Sequence, residues 1–148
     1  MLLETLTALF ERDLGRLKTE ISSYQGEEAL WSVDKEIANS GGNLAMHLVG
    51  NLKAFVGAEL GGTGYVRDRE FEFAGKGLSK SQLVSEIEET IEIVSTTLKK
   101  LGAEDLKKDF PVVVFGKKTS TEYMLVHLAT HLAYHLGQVN YHRRLLDA

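Results

Sequence analysis

An all-α chain, folded as a four-helix bundle, is what the sequence predicts, and three observations carry that reading. Apolar residues recur at spacings of three and four along four separate stretches, the mark of buried helical stripes. Two of those stretches open on a capping box, Ser79 with Gln82 and Thr119 with Glu122. No strand-rich block competes with them, so helix packing on helix is the architecture left. With 148 residues and 43% hydrophobic content, one domain spanning 1–148 has enough apolar mass for a core of its own.

The first helix is expected over Met1 to Tyr24, where Leu3, Leu6, Phe10, Leu14, Leu17 and Ile21 form one stripe. A connector follows Gly26, with Trp31 as a buried plug and Ser40-Gly41-Gly42 breaking the pattern. The second helix runs from about Asn43 to Leu60, its inner face formed by Leu44, His47, Leu48, Leu52 and Phe55. Gly50, Ala54, Gly57 and Ala58 leave part of its surface small, which admits a tight helix crossing or a dimer contact; the alternative is merely a weaker helix.

Gly61 and Gly62 end that helix, and a loop of about seventeen residues without helical period follows, longer than most connections in compact domains. In it Arg67, Asp68, Arg69, Glu70 and Glu72 alternate with Tyr65, Val66, Phe71 and Phe73, so it reads either as a salt-bridged cover or as a ligand-binding segment. The third helix, opened by Ser79, carries a heptad seam of Leu83, Val84, Ile87, Ile91, Val94, Leu98 and Leu101 and stops at Gly102. Between Ala103 and Lys118, Pro111 precedes Val112-Val113-Val114-Phe115-Gly116, a β-prone run that fits a small hairpin or extended strap. The fourth helix then takes the stretch from Thr119 to Ala148, with Leu125, Leu128, Leu132, Leu136 and Val139 inward.

That last helix holds four of the five histidines. At about 100° per residue, His127, His131, His135, His142 and Gln138 fall within an arc of roughly 80°. His131 and His135 are four apart, so their side chains lean together on adjacent turns and can converge on one ion. The fifth, His47, lies between Leu44 and Leu48 and points inward, where an unpaired polar group is costly. A divalent ion shared by His47, His131 and His135 satisfies all three rings; the competing reading is a set of hydrogen-bonded core histidines. His127 and His142 read as packing or supporting groups, and Asn51 and Gln138 stand at the right spacing to bond the outer ring nitrogens. Three neutral imidazoles leave an open coordination position, the pattern of catalytic sites, and nitrogen-only ligation suits Zn²⁺ or Ni²⁺ ahead of Fe²⁺ or Mn²⁺.

Composition excludes other classes. There is no cysteine, hence no disulfide framework, thiolate metal site or cysteine nucleophile. A formal charge of −4 and a pI near 5.7 give no basic footprint for nucleic acid. No run of about 18 apolar residues marks a membrane span and no cleavable leader is seen, so a cytoplasmic protein is expected.

The segments His47 to Leu52, Arg67 to Glu70 and HLATHLAYHLGQVNYHRRLL at 127–146 together resemble the DinB/YfiT-like superfamily over essentially the whole chain. In many members an acidic residue follows the first late histidine, whereas Leu132 stands here. The resemblance implies a four-helix bundle, often dimeric, that binds a divalent metal through three histidines, here His47, His131 and His135. It also implies a thiol S-transferase or related metal-dependent enzyme that uses a low-molecular-weight thiol. In such an enzyme Arg67 and Arg69 would bind carboxylates of the thiol as planar bidentate donors. The alternative is a non-catalytic bundle in which the ion only fastens the second and fourth helices.

Overall fold

The computed structural model describes residues 1–147; Ala148, the end of the expected last stretch, lies outside them. Seven α-helical segments follow one another: α1 (Leu2–Ser23), α2 (Glu27–Leu30), α3 (Gly41–Leu52), α4 (Arg69–Ala74), α5 (Lys80–Lys99), α6 (Ala103–Lys107) and α7 (Thr121–Leu146). Among the described residues no strand forms, and the fold is an all-α bundle of the four long helices α1, α3, α5 and α7. Each of these turns a periodic stripe inward: Phe10, Leu14, Leu17 and Ile21 from α1, Leu48 and Leu52 from α3, Leu83, Ile87 and Leu98 from α5, Leu125, Leu128, Leu132 and Val139 from α7. Burying such a side chain contributes about 1.5–3 kcal/mol each.

The helices stand in the cyclic order α1, α5, α3, α7, since α1 packs mainly on α5 and α7, and α3 on the same two. The histidine-bearing helices α3 and α7 are therefore neighbours, while α5 and α7, successive long helices in sequence, stand across a diagonal. The link between them carries the expected strap: Asp109 and Ser120 bridge, with Phe110 N donating to Thr119 O and Thr121 N to Lys108 O, each at 2.8 Å.

Several boundaries differ from expectation for physical reasons. The second helix starts earlier, on a Ser40 cap whose hydroxyl accepts from Asn43 N. Gly41 and Gly42 form its first turn instead of breaking it: a Cβ on Gly41 would collide with the Tyr24 hydroxyl, and one on Gly42 would meet the Trp31 ring at 2.6 Å. Trp31, half-buried, plugs the bundle by lying on that bare turn. After Leu52 the helix widens into a π segment, Lys53–Ala58, with Glu59 N reaching Ala54 O. The buried Lys53 there meets Glu86 at 2.6 Å and Glu89 at 3.5 Å on α5.

The long loop is not structureless. Asp68 caps α4 by accepting from Phe71 N at 3.0 Å. The capping box of α5 has both halves in place, Ser79 with Gln82, whereas α7 is capped by Ser120, one residue after Thr119. The small residues of the second helix serve contacts inside the chain: Gly50 lies under Glu72, Gly57 under Ile93 and Thr63. Of the four small residues named for a close contact, Gly50 and Gly57 thus have neighbours within the chain, while Ala54 and Ala58 are half-buried.

Candidate metal centre

His47 occupies the inner face of α3, and His131 and His135 the facing side of α7; one ring nitrogen of each lies within 4.8 Å of the others. His47 is buried and the other two are partly exposed, so the cluster sits at the edge of the core, reachable from outside. The Nε2 atoms of His47 and His131 are 3.2 Å apart. Two imidazole nitrogens each about 2.0–2.1 Å from one ion stand about 2.8–3.4 Å apart, from octahedral to tetrahedral angles, and the observed spacing falls in that interval.

The outer nitrogens fix which face each ring presents. Glu72, buried at 4% exposure, takes the Nδ1–H of His47 at 3.1 Å, because a carboxylate can only accept. Gln138 Oε1 accepts from His135 Nδ1 at 2.6 Å. Both tautomers leave Nε2 free to ligate, the arrangement that carboxylates and amides impose on metal-bound histidines elsewhere. His131 Nδ1 is buried without a partner, as is Asn51 Oδ1.

Glu72 is itself held on three sides. Arg67 donates to it twice, Nε to Oε2 at 2.8 Å and Nη2 to Oε1 at 2.9 Å. The Arg67 Nη2 contact with His47 Nδ1 at 3.3 Å is between two donors, and follows from both bonding the same oxygen. Asn43 Nδ2 ties the backbone of α4 to α3 through Glu72 O at 3.0 Å and Gly75 O at 2.8 Å. Gly50 provides the notch, since a Cβ there would collide with Glu72 Oε2. Burial alone would push the Glu72 carboxyl up, but the hydrogen bonds from His47 and Arg67, with the guanidinium charge, hold it below the usual range. Burial first, then the neighbouring His135, His47 and His127, press His131 down to about 4, and burial also lowers His135. At neutral pH both rings are uncharged, as ligation requires.

The sequence-derived candidates divide accordingly. His47, His131 and His135 come together, and Gln138 bonds the ring expected of it. Asn51 does not bond His47; Glu72, from the loop twenty-five residues on, takes that place. Arg67, expected to bind a carboxylate of a cosubstrate, instead commits its bidentate edge to Glu72, and Arg69 lies 5.4 Å over the Phe73 ring. Phe73 in turn packs on His47, ring centres 4.7 Å apart. His142 is structural: its Nε2–H donates to Ser32 O at 2.8 Å, so its Nδ1 accepts from the Tyr24 hydroxyl at 2.6 Å. His127 lies between Phe115 and His131, with ring centres at 4.8 and 6.0 Å. The signal that could have exposed Glu72 is the pair Asp68 and Phe71, an N-cap spacing that turns the loop into a helix start and places Glu72 on its first turn.

Three comparisons bear on this arrangement. The family model described as "Protein of unknown function (DUF1572)" matches residues 2–148. No curated protein matches the chain. Among solved structures, the crystal structure of a conserved protein from Enterococcus faecalis superposes with a TM-score of 0.77 over 97% of this chain and 95% of that one, at 13% sequence identity. At that identity the likeness is one of fold alone.

Proposed function

The chain belongs to the family of proteins of unknown function DUF1572, and from that premise we propose that its three-histidine cleft binds one divalent metal ion and presents it to a small-molecule substrate. The observation that carries the reading is the convergence of three ring nitrogens within 4.8 Å, with the outer nitrogens of His47 and His135 already bonded. Core histidines that served packing alone would satisfy one another, yet here a direct Nε2 to Nε2 bond leaves His131 Nδ1 buried and unpaired. Resemblance to the DinB/YfiT-like superfamily supports the same ligand set, and its all-nitrogen ligation suits Zn²⁺ or Ni²⁺ ahead of Fe²⁺ or Mn²⁺.

A bound divalent ion supplies a depressed pKa to a coordinated water or thiol, giving hydroxide or thiolate near neutral pH. The chain's own residues do the rest. Glu72 holds His47 in the tautomer that turns Nε2 inward, Gln138 does the same for His135, and Arg67 keeps Glu72 ionised. No protein nucleophile is required, which agrees with a chain without cysteine. The finer reading is a transferase for a low-molecular-weight thiol, with the thiolate attacking an electrophilic small molecule.

Metal analysis of untagged protein tests the site. About one Zn²⁺ or Ni²⁺ per chain is expected for wild type and near zero for His131→Ala; equal near-zero contents after metal incubation would end the proposal. Turnover of a chlorodinitrobenzene by the metal-loaded protein with bacillithiol, mycothiol, glutathione or coenzyme A, abolished in His135→Ala, is the expected result for the transferase. No turnover with any of them, together with a large fall in melting temperature on chelation, assigns the ion to fastening α3 against α7 instead.

A further inference from the structure

Beyond the histidine cluster, toward the end of α7, the seam between α3 and α7 opens into a cleft of about 460 Å³, within the size range of small-molecule sites. Its floor is buried and formed by Leu44 and His142. Its walls are exposed and apolar, with Ile37 on the connector before α3 facing Tyr141 and Leu145 of α7. The cleft adjoins the cluster on both helices. Leu44 lies one turn before His47, and Gln138, which lines the cleft, accepts from His135 Nδ1 at 2.6 Å. A larger hollow of about 570 Å³, between the start of α1 and the end of α5, is lined by none of the histidines.

The connector wall is held in place. His142 Nε2–H ties it to the bundle at Ser32 O, 2.8 Å away, and the Ser40 cap fixes its other end to α3. Between these ties Lys35 stands at φ +52°, a left-handed conformation uncommon for lysine and of the kind found at ligand clamps, and Ile37 N closes a turn on Asp34 O at 3.0 Å. A wall fixed at both ends and constrained in the middle is the preformed surface that small-molecule sites use.

The lining decides what can enter. Among the described residues Glu36 is the one charged side chain on the cleft, and no lysine or arginine lines it. Cations near the cluster and the cleft have other partners: Arg67 holds Glu72, Arg69 lies over Phe73, Arg143 holds Glu20 at 2.7 Å, and Arg144 lies over the Tyr141 ring at 5.4 Å. A carboxylate or phosphate entering here would shed water without meeting a counter-charge, close to a glutamate of its own sign. The polar groups on offer are amides. Gln138 gives its Oε1 to His135, which leaves its N–H groups to donate, and Asn39 adds a second amide. Amide donors among apolar walls suit a neutral acceptor such as a carbonyl, ester or nitro oxygen.

We propose that this cleft is the substrate pocket of the metal centre, and that it takes an uncharged molecule with an apolar body and a neutral hydrogen-bond acceptor while excluding anions. The inference rests on the metal reading given above and narrows it: the electrophile is neutral, and any carboxylates of a thiol cosubstrate lie outside this cleft.

1-Alkylimidazoles probe the two parts together, because the free ring nitrogen fills an open coordination position while the chain lies in the cleft. Protein loaded with Co²⁺ reports ligation through its visible spectrum. Across methyl-, butyl- and hexylimidazole the affinity should rise about two- to fourfold per added methylene, and a chain ending in a carboxylate should bind at least about tenfold more weakly than the neutral chain of equal length. Glu36→Lys should reverse that preference, and Ala38→Phe should remove the gain from chain length; both positions are exposed, and circular dichroism with melting temperature checks that the fold is unchanged. Neither change should alter the binding of 1-methylimidazole. Chains that add no affinity to wild type, a carboxylate probe that binds as well as the neutral one, a chain-length gain that survives Ala38→Phe, or an unchanged preference in Glu36→Lys overturns the proposal, while binding of 1-methylimidazole leaves the metal reading standing. Metal uptake without a spectral response to any probe assigns the ion to fastening the helices and overturns it as well. A chain that takes up no metal ends both readings together.

Discussion

Replacing Glu72 by glutamine removes one charge from a site where three hydrogen bonds converge on it. The amide keeps the shape, yet the Arg67 guanidinium, with its side chain 16% exposed, loses its only counter-ion in this cluster. Breaking a buried pair by removing one partner costs about 3–5 kcal/mol; partial access of water to Arg67 brings the expectation down to about 2–4 kcal/mol. For a chain of this length each kcal/mol lowers the melting temperature by about 2–4 °C, so a fall of roughly 5–15 °C is expected in Glu72→Gln. The same change frees the His47 ring to rotate and to exchange tautomers, and loss of such a partner lowers metal affinity by about 10–100-fold. Thermal denaturation followed by circular dichroism reads the first effect, and competition against a chromophoric chelator the second. Arg67→Met separates them: it should lower the melting temperature while leaving the bond from His47 to Glu72 in place, with a smaller loss of affinity. A Glu72→Gln protein that melts and binds metal like wild type would refute both the energetic argument and the role given to the carboxylate.

Gly50→Ala should act as a partial copy of Glu72→Gln, because the new methyl must displace the carboxylate; a loss of about 1–3 kcal/mol with weakened metal binding is expected by denaturation and chelator competition. Tyr24→Phe leaves the buried Nδ1 of His142 without its donor and should destabilise by about 1–3 kcal/mol in urea unfolding, with metal affinity unaltered. His131 titrates near 4 when folded and near 6.5 as a free side chain. Its folded value is the lower one, so the unfolded chain takes up protons first and stability falls with acidification. The contribution is full above pH about 6.5 and is lost progressively down to about 4, and in His131→Gln the chelator-treated protein should lose that part of its pH dependence.

The helices were legible because their information is local. A stripe at three and four, a capping serine and a terminal glycine all lie within a few residues of what they decide, and the i,i+4 pair His131 and His135 is a property of one helix. His47 was legible for a different reason: a lone histidine between Leu44 and Leu48 had to find a partner inside the core. What escaped is what depends on pairing over distance. Glu72 is twenty-five residues from His47, and in sequence it looks like one more acid in a mixed-charge loop; only α4, docked through Asn43 and the Gly50 notch, turns it inward. The same docking decides between the two readings of the loop at Arg67, whose guanidinium is committed to Glu72. The cyclic order of the helices escaped too, since periods state which face is buried but not against which neighbour.

The two halves of the histidine cluster are 84 residues apart along the chain, and this has a bearing on how the molecule forms. In a zinc finger the ligands lie close together, so the ion can gather them early and drive folding. Here α3 and α7 meet only after α5 has been laid down between them in sequence and the strap has turned the chain back, and the loop-closure entropy of that encounter must already have been offset by the apolar seam. An ion would therefore arrive late, at a finished cleft, and would slow unfolding more than it hastens folding. Occupancy in the cell would then record which metal is abundant when folding ends.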